Sequence, residues 1–268
     1  SVKTYAGEWL SSRNDVFIGI DNYNPLAEKD IQLNLSGPII NDKLSFVVSG
    51  RYNNSESFLW YQKRFNAVDG WRIAAYEKWY EGHNSGDISG TQAIPIPDYL
   101  STGDGSEGPL QNYKNYTFSG KLNFFPVSQF RVGYQFYGAW GETKGGDESR
   151  RYQPDETLTS RSWSQHHFLT IKHSPSANLF YNIGISYQHN DGESYYRKDN
   201  KVANYPGDTG IQPITSSSDG FSLGTTPGFY TNADGKNYRD LFLINGDIDW
   251  QIDKYNFLKA GFEYKRHN

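Results

Sequence analysis

The chain has 268 residues, a formal net charge of -4, 16% aromatic residues and no cysteine. The lack of cysteine excludes disulfide frameworks and thiolate metal sites, and so small and dispersed an acidic excess is no electrostatic footprint for a nucleic-acid partner. A mean hydropathy of -0.76, with no apolar run near the roughly 20 residues of a spanning helix, excludes helical membrane segments but not a barrel, where only alternate strand residues face lipid.

The predicted elements are strands, read from period-2 alternation. Residues 12–20 give a weak candidate, and 31–36 another with Ile31, Leu33 and Leu35 on one side. From 44 to 52, Leu44, Phe46, Val48, Gly50 and Tyr52 alternate with Ser45, Val47, Ser49 and Arg51. At 116–124, Tyr116, Phe118, Gly120, Leu122 and Phe124 oppose Thr117, Ser119, Lys121 and Asn123; at 130–136, Phe130, Val132, Tyr134 and Phe136 oppose Arg131, Gly133 and Gln135. A weaker strand fits 163–172, followed by 179–187 with Leu179, Tyr181, Ile183, Ile185 and Tyr187 on one face. Near the end, Phe242, Ile244, Gly246, Ile248, Trp250 and Ile252 face away from Asn245, Asp247, Asp249 and Gln251, and Leu258, Ala260, Phe262 and Tyr264 face away from Lys259 and Glu263.

The connections alternate in length. Short links fall at Gly37–Lys43, Pro126–Gln129, Ser174–Asn178 and Asp253–Asn256, and long ones at about 53–112, 140–162 and 190–238. A soluble sandwich has no reason to gather its long loops at one end, whereas an outer-membrane barrel has short periplasmic turns and long extracellular loops. Pro38, Pro126 and Pro175 are expected in the short turns, where a missing N–H costs no ladder bond. Tyr52, Tyr116, Tyr187, Trp250, Tyr255 and Phe257 fall at strand ends, as interfacial aromatic girdles require. The fold expected is therefore all-β: an antiparallel transmembrane barrel of about ten strands, spanning 1–268. Arg51, Lys121, Asn123, Arg131, Gln135, Asp247, Asp249, Lys259 and Glu263 would line its lumen.

Two segments carry a family resemblance. Asn34-Leu35-Ser36-Gly37-Pro38-Ile39-Ile40-Asn41-Asp42-Lys43-Leu44-Ser45-Phe46 resembles a turn of TonB-dependent receptors, in the branch with an N-terminal carboxypeptidase-like domain. Phe257-Leu258-Lys259-Ala260-Gly261-Phe262-Glu263-Tyr264 looks like a strand of the same family. The resemblance implies a barrel of roughly 22 strands with a plugged lumen. Its partners would be outer-membrane lipid, a plug domain of the same polypeptide, a TonB-type energy-coupling protein and, at the cell surface, an extracellular ligand or a surface lipoprotein. No plug domain is recognisable, and the last residues, Lys265-Arg266-His267-Asn268, lack the terminal aromatic of such barrels, so the chain reads as part of a larger one. The implied function is energy-coupled uptake of a nutrient bound at the loops and plug. A small structural or adhesive barrel and a soluble secreted glycan-binding β domain are the alternatives.

No catalytic constellation, cofactor motif or metal-ligand spacing stands out. His166 and His167 are adjacent and must point to opposite faces of a strand. The stretch from Gly103 to Gly108 lacks full calcium-loop spacing and reads as a flexible loop tip. The 53–112 loop is long enough to be functional and too aromatic for simple disorder. Most of its rings are expected to build the loop's own small core. Trp60, Tyr61, Trp71, Trp79 and Tyr80 are the candidate ligand contacts, since aromatic faces stack on sugars and planar groups.

Overall fold

The computed structural model describes residues 1–9, 19, 23–66, 69–83, 97–146, 151–154, 157–195 and 235–268. Nine strands form one antiparallel sheet: β1 (Val2–Gly7), β2 (Glu28–Ile40), β3 (Leu44–Glu56), β6 (Asn112–Val127), β7 (Phe130–Gly145), β8 (Leu158–Ser176), β9 (Leu179–Tyr195), β10 (Gly235–Gln251) and β11 (Phe257–His267). Each strand pairs with its sequence neighbour in that order, and β1 and β11 are the edges of the sheet, unpaired with each other. Between β3 and β6 the chain forms the short strand pair β4 (Trp60–Gln62) and β5 (Glu107–Pro109), a helix α1 (Asp69–His83) and a 3-10 turn at Asp98–Leu100.

The sheet thus confirms the all-β antiparallel expectation and its short–long rhythm, with four differences. β1 has no counterpart in the alternation pattern. The weak 12–20 candidate lies outside the described residues apart from Gly19, which sits in a turn. The strands run on into the regions read as loops, so the second long connection shrinks to 146–157, while 196–234 lies outside the described residues. The prolines are not in the turns: Pro38, Pro126 and Pro175 lie in β2, β6 and β8, each where the pairing register shifts just before a turn. Pro126 and Pro175 lack a ladder partner there, which is where a residue without N–H costs least, while Pro38 still faces Ser45 beside the unpaired Ile39.

Register fixes which residues share a face. One transverse row runs Ile31, Tyr52, Tyr116, Trp140, Trp163, Asp191 and Tyr238. In it, the Tyr52 and Tyr116 rings lie 4.8 Å apart and those of Tyr116 and Trp140 5.4 Å apart. One row towards the loops, on the same face, stand Lys29, Asn54, Lys114, Glu142, Arg161, Glu193 and Lys236. Arg161 donates to Glu142 at 2.6 Å and lies 3.5 Å from Glu193, so a band of charge borders a band of rings.

The apolar band does not stay level. On β2, β3, β6 and β7 it begins at the Ile31 row. On the later strands polar groups take the outward places first, namely Gln165 and His167 on β8, Asp191 and His189 on β9, Asp240 on β10 and Arg266 on β11. Apolar side chains resume only at Leu169, Tyr187, Phe242 and Tyr264. Tyr264 pairs with Ile244, which lies six residues beyond Tyr238 on β10, so the band slides six residues over seven strand pairings. The turns slide with it. Phe130 closes its hairpin two residues beyond Val132, the position level with Leu44; Leu179 lies two beyond Tyr181, the position level with Phe130; Gln251 lies one beyond Trp250, the partner of Leu179. A slip of about one residue, ~3.3 Å, per ~4.8 Å strand spacing is a strand tilt of about 35°, that of a barrel wall.

The opposite face is polar and matches the expected lumen set. Arg51 pairs with Asp30, Ser49 with Ser119 at 2.6 Å, Lys259 with Asp249 at 3.3 Å, and Asn182 donates to Asp247 at 3.1 Å. His166 faces this side against Ser186 at 2.8 Å, while His167 faces the other, 2.7 Å from the Tyr134 hydroxyl. Among the described residues the apolar face stays open: Leu35, Phe118, Leu122 and Phe262 are 50%, 48%, 42% and 60% exposed. A water-soluble sandwich would bury these side chains.

The turn 252–256 joining β10 and β11 is held by Asp253, whose carboxylate accepts from the Asn256 side chain at 2.6 Å and from the Tyr255 and Asn256 amides at 2.8 and 2.9 Å. The Asn256 side-chain donor, then the Tyr255 amide, hold the Asp253 pKa below its ordinary 3.8. The charged form is the one bound, so this contribution is present above the ordinary Asp range and is lost as pH falls through the lowered pKa. A carbon-detected NMR titration of Asp253 should give a midpoint under 3.8, moving back towards that value in Asn256→Ala; an unchanged midpoint would contradict the turn geometry.

Candidate functional site

At the loop end of the sheet, two long connections fold into one cap. Leu110 N donates to Leu59 O at 2.8 Å and Ser57 N to Gln111 O at 3.0 Å, which closes the base of the β4–β5 pair. Gln62 N then donates to Arg151 O at 2.8 Å, and the Arg64 and Phe65 amides both donate to Tyr152 O at 3.1 Å. Gln153 Nε2 reaches Asn66 O at 3.2 Å. The segment 151–154, from the β7–β8 connection, is therefore stitched onto the β3–β6 connection through main-chain bonds.

The cap has its own core. Phe65, Ile73 and Leu100 are buried, with Tyr76 and Tyr152 packed against them. These belong to four separate segments, so burying each ring or aliphatic chain, worth about 1.5–3 kcal/mol, holds the segments together. The Arg64 guanidinium lies 4.2 Å from the Tyr152 ring centre and that of Arg151 5.0 Å from it. Leu110, fully buried, lies so close to Gly146 that a Cβ there would be 2.6 Å from Leu110 O; only glycine lets the second loop leave the sheet at this point.

Asp69 anchors the helix. It is fully buried, and its carboxylate accepts from Asn66 N at 2.8 Å, Thr102 N at 3.0 Å and Thr102 Oγ1 at 2.8 Å, with Arg72 3.6 Å away. Asn66 and Asp69 have the spacing of a capping box, with the acidic side chain reaching back to the amide three residues earlier. The 103–108 stretch is a correction to the expected flexible tip. Gly103 N and Gly105 N donate to Arg64 O and Lys63 O at 2.8 and 2.9 Å, and a Cβ at Gly103 would collide with the Lys63 and Arg64 backbone. Only Gly105, at φ 71 with open space around its Cβ position, behaves as a tip. Asp104 beside it accepts from Ser106 N at 3.0 Å, and Ser106 holds its carboxyl below the usual carboxylate range.

The expected ligand contacts separate into two groups. Trp60 and Tyr61 lie in β4 at the root of the cap: a Cβ at Gly19 would come within 2.9 Å of the Trp60 ring, and the Lys144 ammonium stands 5.2 Å from the Tyr61 ring. Both are half-buried. Trp79 and Tyr80 lie on α1 with Tyr76 and His83. Tyr76 stacks on Trp79 at 5.9 Å and meets Tyr80 at 6.0 Å, and Trp79 meets His83 at 4.5 Å. Trp79 remains 53% exposed. Trp71 is also on α1, but its side chain is outside the described residues. The structure thus brings together an aromatic strip at helical spacing, with Trp79 and Tyr80 beside Tyr76 and Trp79 beside His83. Sequence reading missed the Tyr152 and Arg64 contribution because 151–154 and 53–112 are far apart along the chain. The Asn66-to-Asp69 spacing was a readable helix-start signal. Among the described residues, no group of three or more His, Asp or Glu side chains is placed to hold a metal ion.

No protein-family model matches this sequence, and no curated protein matches it. Solved structures do. The outer membrane transporter YddB from Escherichia coli superposes with a TM-score of 0.53 at 10% identity, covering 98% of this chain and 30% of that one. The siderophore receptor PirA from Acinetobacter baumannii gives 0.46 at 16% identity over 90% of this chain and 27% of its own. The ferric preacinetobactin receptor BauA from the same organism gives 0.41 at 11% identity, over 90% and 33%. The chain therefore spans about three-tenths of the length of these structures, and the superposition on the transporter shows a shared fold: a stretch of outer-membrane barrel wall.

Replacing the buried Asp69 with Ala would remove the acceptor shared by the Asn66 and Thr102 amides and the Thr102 hydroxyl, a loss of roughly 1–3 kcal/mol confined to the cap. Limited proteolysis should then cut within 53–112 while the sheet resists. Cap resistance equal to the parent's would show that Asp69 is not its anchor.

Proposed function

We propose that this chain is part of the wall of a plugged outer-membrane barrel, in a receptor of the TonB-dependent type that takes up a nutrient. The observation that carries this reading is the outward apolar band. It is bordered by rings and then by charges on the loop side, and it slides in step with the hairpin turns at a barrel's strand tilt. Lipid is the surrounding that such a face suits, since the strands between the two edges pair on both sides and turn mainly side chains to it. The superposed transporter supports the same reading at the level of fold. The open sheet favours a larger barrel over a small closed one.

In this reading the polar face, with Arg51, Lys121, Asp247, Asp249 and Glu263, meets a plug domain of the same polypeptide. A TonB-type protein supplies the energy, and the cap receives the extracellular ligand or a surface lipoprotein that delivers it. No bond is made or broken, so neither a catalytic residue nor a cofactor is called for. The branch with an N-terminal carboxypeptidase-like domain rests on the Leu35-to-Phe46 motif, which forms the β2–β3 hairpin with Asp42 at φ 59 in its turn. Trp79, exposed on α1 with the half-buried Tyr80 beside it, is the contact best placed to stack on a sugar or peptide ring, which makes glycans or peptides the favoured cargo.

Orientation is the test. An epitope inserted after Gly105 should be stained by antibody on intact cells, and one inserted after Lys254 only after permeabilisation, in a protein that migrates heat-modifiably from the outer-membrane fraction. The reverse staining, or a soluble product, would refute the proposal. With orientation established, Trp79→Ala should reduce energy-dependent uptake by about tenfold, the loss of roughly 1–2 kcal/mol of stacking, and leave heat-modifiability intact. Normal uptake by that variant would remove Trp79 from the ligand site.

A further inference from the structure

The apolar face is not uniform. Beneath the charged row, glycines at Gly50 and Gly138 open a groove of about 530 Å³, floored by Leu33 and Phe118 and walled by Tyr52 and Trp140. Leu33, Gly50, Phe118 and Gly138 are consecutive partners in one register row, so the missing side chains lie two strands apart on the same level.

The rim above this groove is cationic. In the next row beyond the rings, Lys29 and Lys114 flank Asn54 on the two strands either side of β3, about 10 Å apart by strand spacing. Neither lysine has a carboxylate within salt-bridge reach among the described residues. Glu142, level with Lys114, is held by Arg161 at 2.6 Å, and Arg161 also lies 3.5 Å from Glu193. Glu56, further towards the loops, is engaged by the Asn24 side chain at 3.3 Å. On β7 to β10 the row holds Glu142, Arg161, Glu193 and Lys236, two charges of each sign, whereas on β2 to β6 it holds Lys29 and Lys114, directly above the groove. The Asn54 side chain between them is buried, with its amide donating to Ala27 O at 3.3 Å, so it forms the floor beneath the two ammonium groups rather than a competitor for their ligand.

A cationic rim over an apolar slot matches an anionic amphiphile. We propose that this place is a binding site for a phosphate-bearing lipid of the surrounding leaflet, with the phosphate between Lys29 and Lys114 and an acyl chain in the groove at Gly50 and Gly138. The inference rests on the reading of this face as lipid-facing. The cationic pair attracts the headgroup, and the aromatic walls hold the first part of the chain. Arg161, paired twice, takes no part.

Two tryptophans at the groove, Trp140 and Trp163, provide the readout. The full-length protein is refolded into vesicles of a zwitterionic lipid doped with either brominated phosphatidylglycerol or brominated phosphatidylcholine at equal mole fraction. The quenched signal is assigned by its loss in Trp140→Phe and Trp163→Phe. The phosphate site predicts a quenching preference for the anionic lipid of several-fold, with about fivefold expected from each lysine near an anionic headgroup. Lys29→Gln with Lys114→Gln should abolish that preference while general quenching remains. Gly50→Leu should reduce quenching by both lipids at this position; a Cβ at Gly50 meets only Thr117 O at 3.8 Å, so the variant fills the groove without straining the sheet. Equal quenching by the two lipids in the parent, or a preference that survives removal of both lysines, would overturn the site while leaving the barrel reading intact. No quenching by either lipid would overturn both.

Discussion

Everything in this molecule depends on the register of one antiparallel ladder. Each strand between the edges β1 and β11 spends its N–H and C=O groups on its two neighbours, so side chains meet what lies on either side of the sheet. Because side chains alternate with period 2, a slip of one residue at any pairing would exchange the two faces of every strand beyond it. The eight pairings from β1 to β11 instead keep Leu35, Val48, Phe136 and Phe242 on one side and Arg51, Lys121, Gln135 and Asp247 on the other. The bulges next to Pro38, Pro126 and Pro175 sit beyond this stretch, beside the turns, where a local disruption does not propagate.

The same ladder explains why polar residues appear on the outward face at all. Gln165, His167, His189 and Asp240 look misplaced if the apolar band is drawn perpendicular to the strands. With a tilt of about 35° they rise above the band, as Lys114 and Glu142 do on earlier strands. His189 and Tyr187 both bond to Asp240, at 2.7 and 3.0 Å, so these border residues find their partners within the sheet.

The cap follows a different logic. Its elements are too short to be stable alone, and its core is built from side chains contributed by two connections and a helix. Main-chain bonds from Gln62, Arg64 and Phe65 to Arg151 and Tyr152 make the two connections a single body. An aromatic strip on α1 is thereby held in place by a core that does not include the sheet. The capping carboxylate of Asp69 and the close contact of Gly146 with Leu110 are the positions where that independence is most exposed to mutation.

The sequence by itself determined the strand count to within a few, both faces of nearly every strand, the short–long rhythm of the connections and the presence of a small aromatic core in the 53–112 loop. These are consequences of period-2 alternation and of turn chemistry, which are local and survive in a single chain. Only the tertiary structure decided the stagger of the hairpins, the placement of the prolines at bulges, the docking of 103–108 onto Lys63 and Arg64, and the joining of Tyr152 to the cap. It also separated Trp79, which stays open, from Trp60, which packs on Gly19, and set Lys29 beside Lys114 across β3. Each of these depends on which residue of one strand or loop stands opposite which residue of another. Alternation shows the face a side chain belongs to and carries no information about its neighbour across the ladder.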